Sequence, residues 1–156
     1  MRFLILVLVL ILVACDGSRV YEDYVDLEDA FWHLDSAKVF EFEITDSQAS
    51  HNILATFRNS SAYPFYNIYF HFSLRDSLDS VVVEQLKEAE FFNSKTGQPY
   101  GSGLGDLFDH TVPIIENYSF PSPGRYSVRL QQQMRLDSLP FILSVGARVE
   151  TVSSED

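Results

Sequence analysis

Cysteine occurs once in the 156 residues, tryptophan once and methionine twice, and 11 lysines and arginines face 22 aspartates and glutamates. A single cysteine leaves no intramolecular disulfide, so stability must come from packing. Scarce positive charge argues against nucleic acid as a partner, because phosphate binding rewards Lys/Arg clusters, and against electrostatic docking on anionic lipid headgroups. The longest apolar run, Phe3 to Val13, is shorter than the roughly 20 residues that cross a bilayer. No serine sits in a nucleophile-elbow pattern. The four histidines, His33, His51, His71 and His110, lack the short spacing of a metal-ligand pair. Nothing here points to an enzyme, a metal or a cofactor.

The stretch Leu12-Val13-Ala14-Cys15 ends that run. Arg2 supplies a positive start, Phe3 to Val13 an aliphatic core, and Ala14 a residue small enough for a signal peptidase to cut after. A cysteine left at the new N-terminus can carry acyl chains on its thiol and its amine. Each buried methylene is worth about 0.8 kcal/mol, and two or more chains anchor a protein stably. The segment is therefore read as a lipoprotein signal with Cys15 as the lipidation site. The alternatives are a secretory signal with a chance cysteine or a truncated anchor, but pattern and cysteine count point the same way. Loss of Arg2 makes the mature chain one unit more acidic than the −11 of the whole.

Four segments follow from composition: signal peptide 1–14, lipidated Cys15 with an acidic tether to residue 34, one folded domain over 35–150, and an acidic tail 151–156. Val39 to Ile44 alternates apolar and acidic residues, as a half-buried strand requires. Ile53 to Arg58 and Tyr66 to Leu74 repeat the pattern, the latter with Ile68, Phe70, Phe72 and Leu74 on one face. Val81 to Leu86 is assigned to a strand on its β-branched start, followed by a turn. Ile114 to Phe120, Arg125 to Arg135 and Phe141 to Val149 complete the set. About seven closely spaced strands, Gly/Pro turns and no clear helix predict an all-β, antiparallel sandwich.

Between them, Thr96 to Asp109 holds Gly97, Pro99, Gly101, Gly103 and Gly105 and is expected to be an irregular loop. Gly101-Ser102-Gly103-Leu104-Gly105-Asp106 lacks the downstream helix and the lysine of a nucleotide-binding loop. Asp106, Asp109 and His110 could contact a metal or a carbohydrate, although turn capping explains the aspartates as well. Gln131 to Arg135 offers amides, a guanidinium and an adaptable methionine at a strand end, suited to partner contacts or to simple exposure. The expected partner-binding set is Gly101, Gly103, Gly105, Asp106, Gln133 and Arg135.

Taken in order, Cys15, Tyr63-Pro64-Phe65-Tyr66-Asn67, the glycine segment, Pro123-Gly124-Arg125-Tyr126, Gln133-Met134-Arg135 and the final Ser144 to Glu150 resemble the gliding-motility lipoprotein family GldH over nearly the whole mature chain. The resemblance implies a lipid-anchored, non-enzymatic envelope protein, in the outer membrane facing the periplasm. Its partners would be the membrane, through the lipid, and other envelope proteins of the machinery that moves surface adhesins. A rival expectation is an envelope lipoprotein that binds a glycan or other small ligand in a pocket built from Tyr100, Asp106 and Phe108.

Overall fold

Alternating apolar residues need a second apolar face to cover them, and here two sheets cover one another. The computed structural model describes residues 17–152. The signal segment, Cys15 and residues 153–156 lie outside the described residues. Eleven strands run as β1 (Arg19–Asp26), β2 (Phe31–His33), β3 (Lys38–Ile44), β4 (Ser50–Ser60), β5 (Asn67–Arg75), β6 (Val81–Glu90), β7 (Ser102–Leu104), β8 (Leu107–Ser119), β9 (Gly124–Gln132), β10 (Ser138–Pro140) and β11 (Ile142–Thr151). One sheet has the order β1-β11-β4-β8-β7, the other β3-β9-β5-β6, and a small β10-β2 ladder stands apart. Every pairing is antiparallel, and the described residues hold no α-helix. This is the expected all-β sandwich, with eleven strands among the described residues where about seven were expected, the additions being β1, β2, β7 and β10.

The inward faces are those the alternation predicts. Phe40, Phe42 and Ile44 of β3, Ile68, Phe70, Phe72 and Leu74 of β5, and Val145, Ala147 and Val149 of β11 are all buried. Phe57 of β4 meets Phe70 edge-on at 5.0 Å and 63°, locking one sheet to the other with more than burial alone. Trp32 is fully buried, its indole N–H donating to the Ser36 carbonyl at 2.9 Å.

Three expectations are corrected. The segment expected to be a tether as far as residue 34 is part of the fold from Arg19 on. Arg19 to Asp26 forms an edge strand in register with β11, Tyr21 opposite Val149 and Asp26 opposite Ser144. Its acidic residues face water, and Tyr21 alone packs inward, against Phe42 at 5.7 Å, so no alternation betrays it. The turn expected after Leu86 is likewise replaced by strand as far as Glu90, paired with Asn67. The backbone of β5 requires partners along its length, and this overrides the helix propensity of Glu84 to Glu90. Finally, the glycine segment is irregular only as far as Gly101: from Ser102 it folds as the β7–β8 hairpin, and β8 runs 13 residues where a short strand from Ile114 was expected.

Antiparallel pairing gathers the chain crossings at two ends. At one, Arg19 lies opposite Glu150, His51 opposite Thr151, Ile44 opposite Gly124 and Arg75 opposite Val81. At the other, Ser60 lies opposite Leu107 and Asn67 opposite Glu90. These are called below the Arg19 end and the hairpin end.

Candidate functional site

The hairpin owes its shape to its glycines. A Cβ on Gly101 would collide with the Asp109 carbonyl and lie 2.7 Å from His110 Cε1, and one on Gly103 would strike the Leu107 carbonyl and the Phe108 ring. Side-chain-free residues therefore let β7 lie close on β8. Gly105, at φ +67°, turns the chain with Asp106 between paired Leu104 and Leu107, as a two-residue hairpin with glycine first allows. Asp106 ties the turn to the β4–β5 loop. Its carbonyl accepts the Ser61 N–H at 2.7 Å, and its carboxylate accepts the Ser61 hydroxyl at 3.2 Å.

This braced hairpin presents Leu104, 92% exposed, with Leu107 half-exposed beside it. Nearby, the Ser60 N–H donates to the Phe141 carbonyl at 3.1 Å. Phe141 is itself exposed and sits at φ +63°, a region bulky residues avoid at a cost of about 1–2 kcal/mol. On the same outer sheet face lies a shallow trough of about 440 Å³, lined among others by Tyr24, Thr56, Arg58, Asp109 and Ser144. Across it Arg58 holds Asp109 with two hydrogen bonds, 2.7 and 3.0 Å.

Asp106, Asp109 and His110 do not converge. Asp106 reaches Ser61 and Asp109 reaches Arg58 on the outer face, whereas His110 turns inward and is buried. Burial lowers its pKa to about 4, with neighbouring Asp109 opposing, so the ring is neutral at pH 7. Among the described residues no group of three His, Cys, Asp or Glu could hold a metal. The rival's pocket is not assembled either. Phe108 lines a depression of about 350 Å³ with Tyr63, Pro64, Phe65, Tyr66 and Phe92, but Tyr100 and Asp106 do not line it.

Gln133 and Arg135 follow β9 at the hairpin end and are exposed, so they share that end with the glycine hairpin while stemming from the other sheet. The residue that matters structurally there is Gln132, which is fully buried. Its Nε2 donates to the Leu136 and Trp32 carbonyls, at 2.9 and 3.4 Å, and its Oε1 accepts the Met134 N–H at 2.8 Å. Alternation carried one step past Tyr126, Val128 and Leu130 would have found it. Ser138 and His33 also meet, Oγ to Nδ1 at 2.6 Å. They are register partners in the β10–β2 ladder, and the bond is an exposed cross-strand contact.

Residues 19–149 match the family model described as GldH lipoprotein. The chain belongs to the GldH lipoprotein family. Among GldH relatives, the gliding motility lipoprotein GldH homolog of Christiangramia forsetii is 28% identical, the alignment covering 95% of this chain and 93% of that protein. The gliding motility lipoprotein GldH of Flavobacterium johnsoniae is 27% identical, with 94% of each chain covered. Looser likenesses among solved structures include a carbohydrate-binding module specific for non-crystalline cellulose, at TM-score 0.46 and 8% identity over 89% of this chain and 77% of that one. Another is infectious bursal disease virus, Gx strain, at TM-score 0.43 and 14% identity over 91% and 35%. Neither overlap is close enough to argue from.

Proposed function

We propose that this chain is a gliding-motility lipoprotein, held in the cell envelope by lipid on Cys15, without catalytic activity, and that its hairpin end contacts other envelope proteins of the gliding machinery. Family membership supports the first part, since both relatives named above carry that function in their names over nearly their full length. The observation that carries the second is the braced hairpin with Leu104 at its tip, 92% exposed. A glycine-shaped turn that displays a leucine to water contributes little to folding and suits a protein interface. The membrane is the outer one, with the domain on its periplasmic side. The scattered directions of Asp106, Asp109 and His110 favour assembly over glycan or metal binding.

Cys15→Ala tests the anchor. The variant should remain unacylated and largely uncleaved, fail to incorporate a fatty-acid probe, and not restore colony spreading to a strain lacking the protein. Probe retained on Cys15→Ala would refute the assignment.

A further inference from the structure

The Arg19 end carries apolar residues of its own. Leu78, in the turn joining β5 to β6, is 84% exposed. That turn is pinned: Asp76 Oδ1 accepts the N–H groups of Leu78 and Ser80, each at 2.9 Å. Asp79 adopts φ +60°, and its carboxylate meets Arg75 at 3.2 Å. Leu78 is thus held outward in a defined geometry. Beside it, across a small depression, lie Pro121, Ser122 and Pro123, and Val81 and Val82 continue the apolar surface at the start of β6.

The chain enters the sandwich at this same end. Only Asp16, Gly17 and Ser18 separate Cys15 from Arg19, a span of about 14 Å even when fully extended. The domain is therefore held within about 14 Å of a lipid on Cys15, which brings one of its surfaces close to the bilayer. The flank formed by β1 is unsuited, since Glu22, Asp23 and Asp26 line it and desolvating carboxylates is costly. At the end bearing Leu78 and the two prolines, Asp76 and Asp79 flank Leu78, but their carboxylates are taken up within the turn, Asp76 by the Leu78 and Ser80 N–H groups and Asp79 by Arg75.

We propose that the Arg19 end is a bilayer-docking face: with Cys15 acylated, Leu78 and the Pro121–Pro123 loop rest in the interfacial layer of the membrane and hold the sandwich upright. The inference rests on the Cys15 reading. One leucine would not bind a membrane by itself, but the lipid supplies the high local concentration that makes a weak contact count. The contact is apolar, so it does not depend on anionic lipid. Upright docking also sets a height. β4 runs from the Arg19 end at Ser50 to the hairpin end at Ser60, which at roughly 3.3 Å per residue lifts Leu104 about 33 Å above the bilayer surface.

The full-length lipidated protein, carrying Leu78→Cys or Leu104→Cys labelled with an environment-sensitive fluorophore, is reconstituted into vesicles of phosphatidylcholine and phosphatidylethanolamine. Acylation is verified by the mass of the purified chain. The label at position 78 should shift its emission to the blue and lose accessibility to an aqueous quencher several-fold, while the label at 104 stays as accessible as in free protein. An acylated chain whose label at 78 is as accessible as that at 104 overturns the docking and leaves the Cys15 reading intact. A chain without the acyl mass overturns both. Protection at 78 in whole envelopes but not in vesicles would assign this end to a protein partner and also overturn the docking.

Discussion

The imidazole of His110 lies flat against the ring of Phe91, centroids 4.3 Å apart and planes inclined by 18°, with its Nε2 buried and no protein partner. Protonating this ring inside the sandwich means burying a charge among aromatics. Burial accordingly lowers its pKa from 6.5 to about 4, against the pull of Asp109. The unfolded chain therefore binds one more proton than the folded chain between those two values. By linkage the contribution of His110 to stability is complete above pH 6.5, declines as the pH falls toward 4, and levels off below. At about 1.4 kcal/mol per unit, the loss amounts to at most about 3.5 kcal/mol. Denaturant midpoints measured from pH 7 to pH 4 should fall more steeply for the wild type than for His110→Leu. Parallel curves would show that folding does not lower the pKa of His110.

Gln132 separates a structural role from a partner-binding one at the same strand end. Replacing it with leucine keeps the volume but leaves the carbonyls of Trp32 and Leu136 and the N–H of Met134 without their bonds. Unpaired buried groups cost about 1–3 kcal/mol each before relaxation, so Gln132→Leu should destabilise the domain by about 2–4 kcal/mol. Gln133→Ala and Arg135→Ala, on exposed side chains, should stay within about 0.5 kcal/mol of wild type. Equal midpoints for all three variants would contradict the burial of Gln132. If Gln133 and Arg135 contact a partner, their loss shows in motility alone.

The contrast between these neighbours explains what the sequence made legible. Strands that bury every second residue, such as β3 with Phe40, Phe42 and Ile44 and β5 with Phe70 and Phe72, write their period into the sequence. The sandwich could be read from them. Strands that bury little do not write it, and two of the edge strands are of that kind. β1 buries only part of Tyr21, and β6 pairs on one side and carries Gln85 and Lys87 on the same face as Ala89. A charged residue on the inner face of an edge also discourages edge-to-edge pairing. The hairpin was hidden for another reason: glycines that permit close strand approach look, in sequence, like glycines that permit irregular loops. Motif order was enough for the family, whereas the opposed directions of Asp109 and His110 follow from their being consecutive in β8, where Asp109 had been expected in a loop.

Leu104 provides the sharpest test of the hairpin. Being 92% exposed, it has little to lose in the folded domain, so Leu104→Asp should shift stability by no more than about 0.5 kcal/mol. If the tip docks on another envelope protein, burying the new carboxylate there without a partner carries a desolvation penalty, and colony spreading should fail with the protein still folded and present in the envelope. Gly103→Ala should give the same phenotype by another route, since its Cβ meets the Leu107 carbonyl and the Phe108 ring and must force β7 off β8. The double change Asp106→Asn and Asp109→Asn serves as the counter-case. It removes two exposed charges, weakens the exposed Arg58 pair by about 1 kcal/mol or less, and preserves the shape and apolar tip. Gliding should survive it. Normal spreading in Leu104→Asp together with loss of spreading in the double asparagine variant would reverse the assignment, because the carboxylates and not the apolar tip would then carry the function.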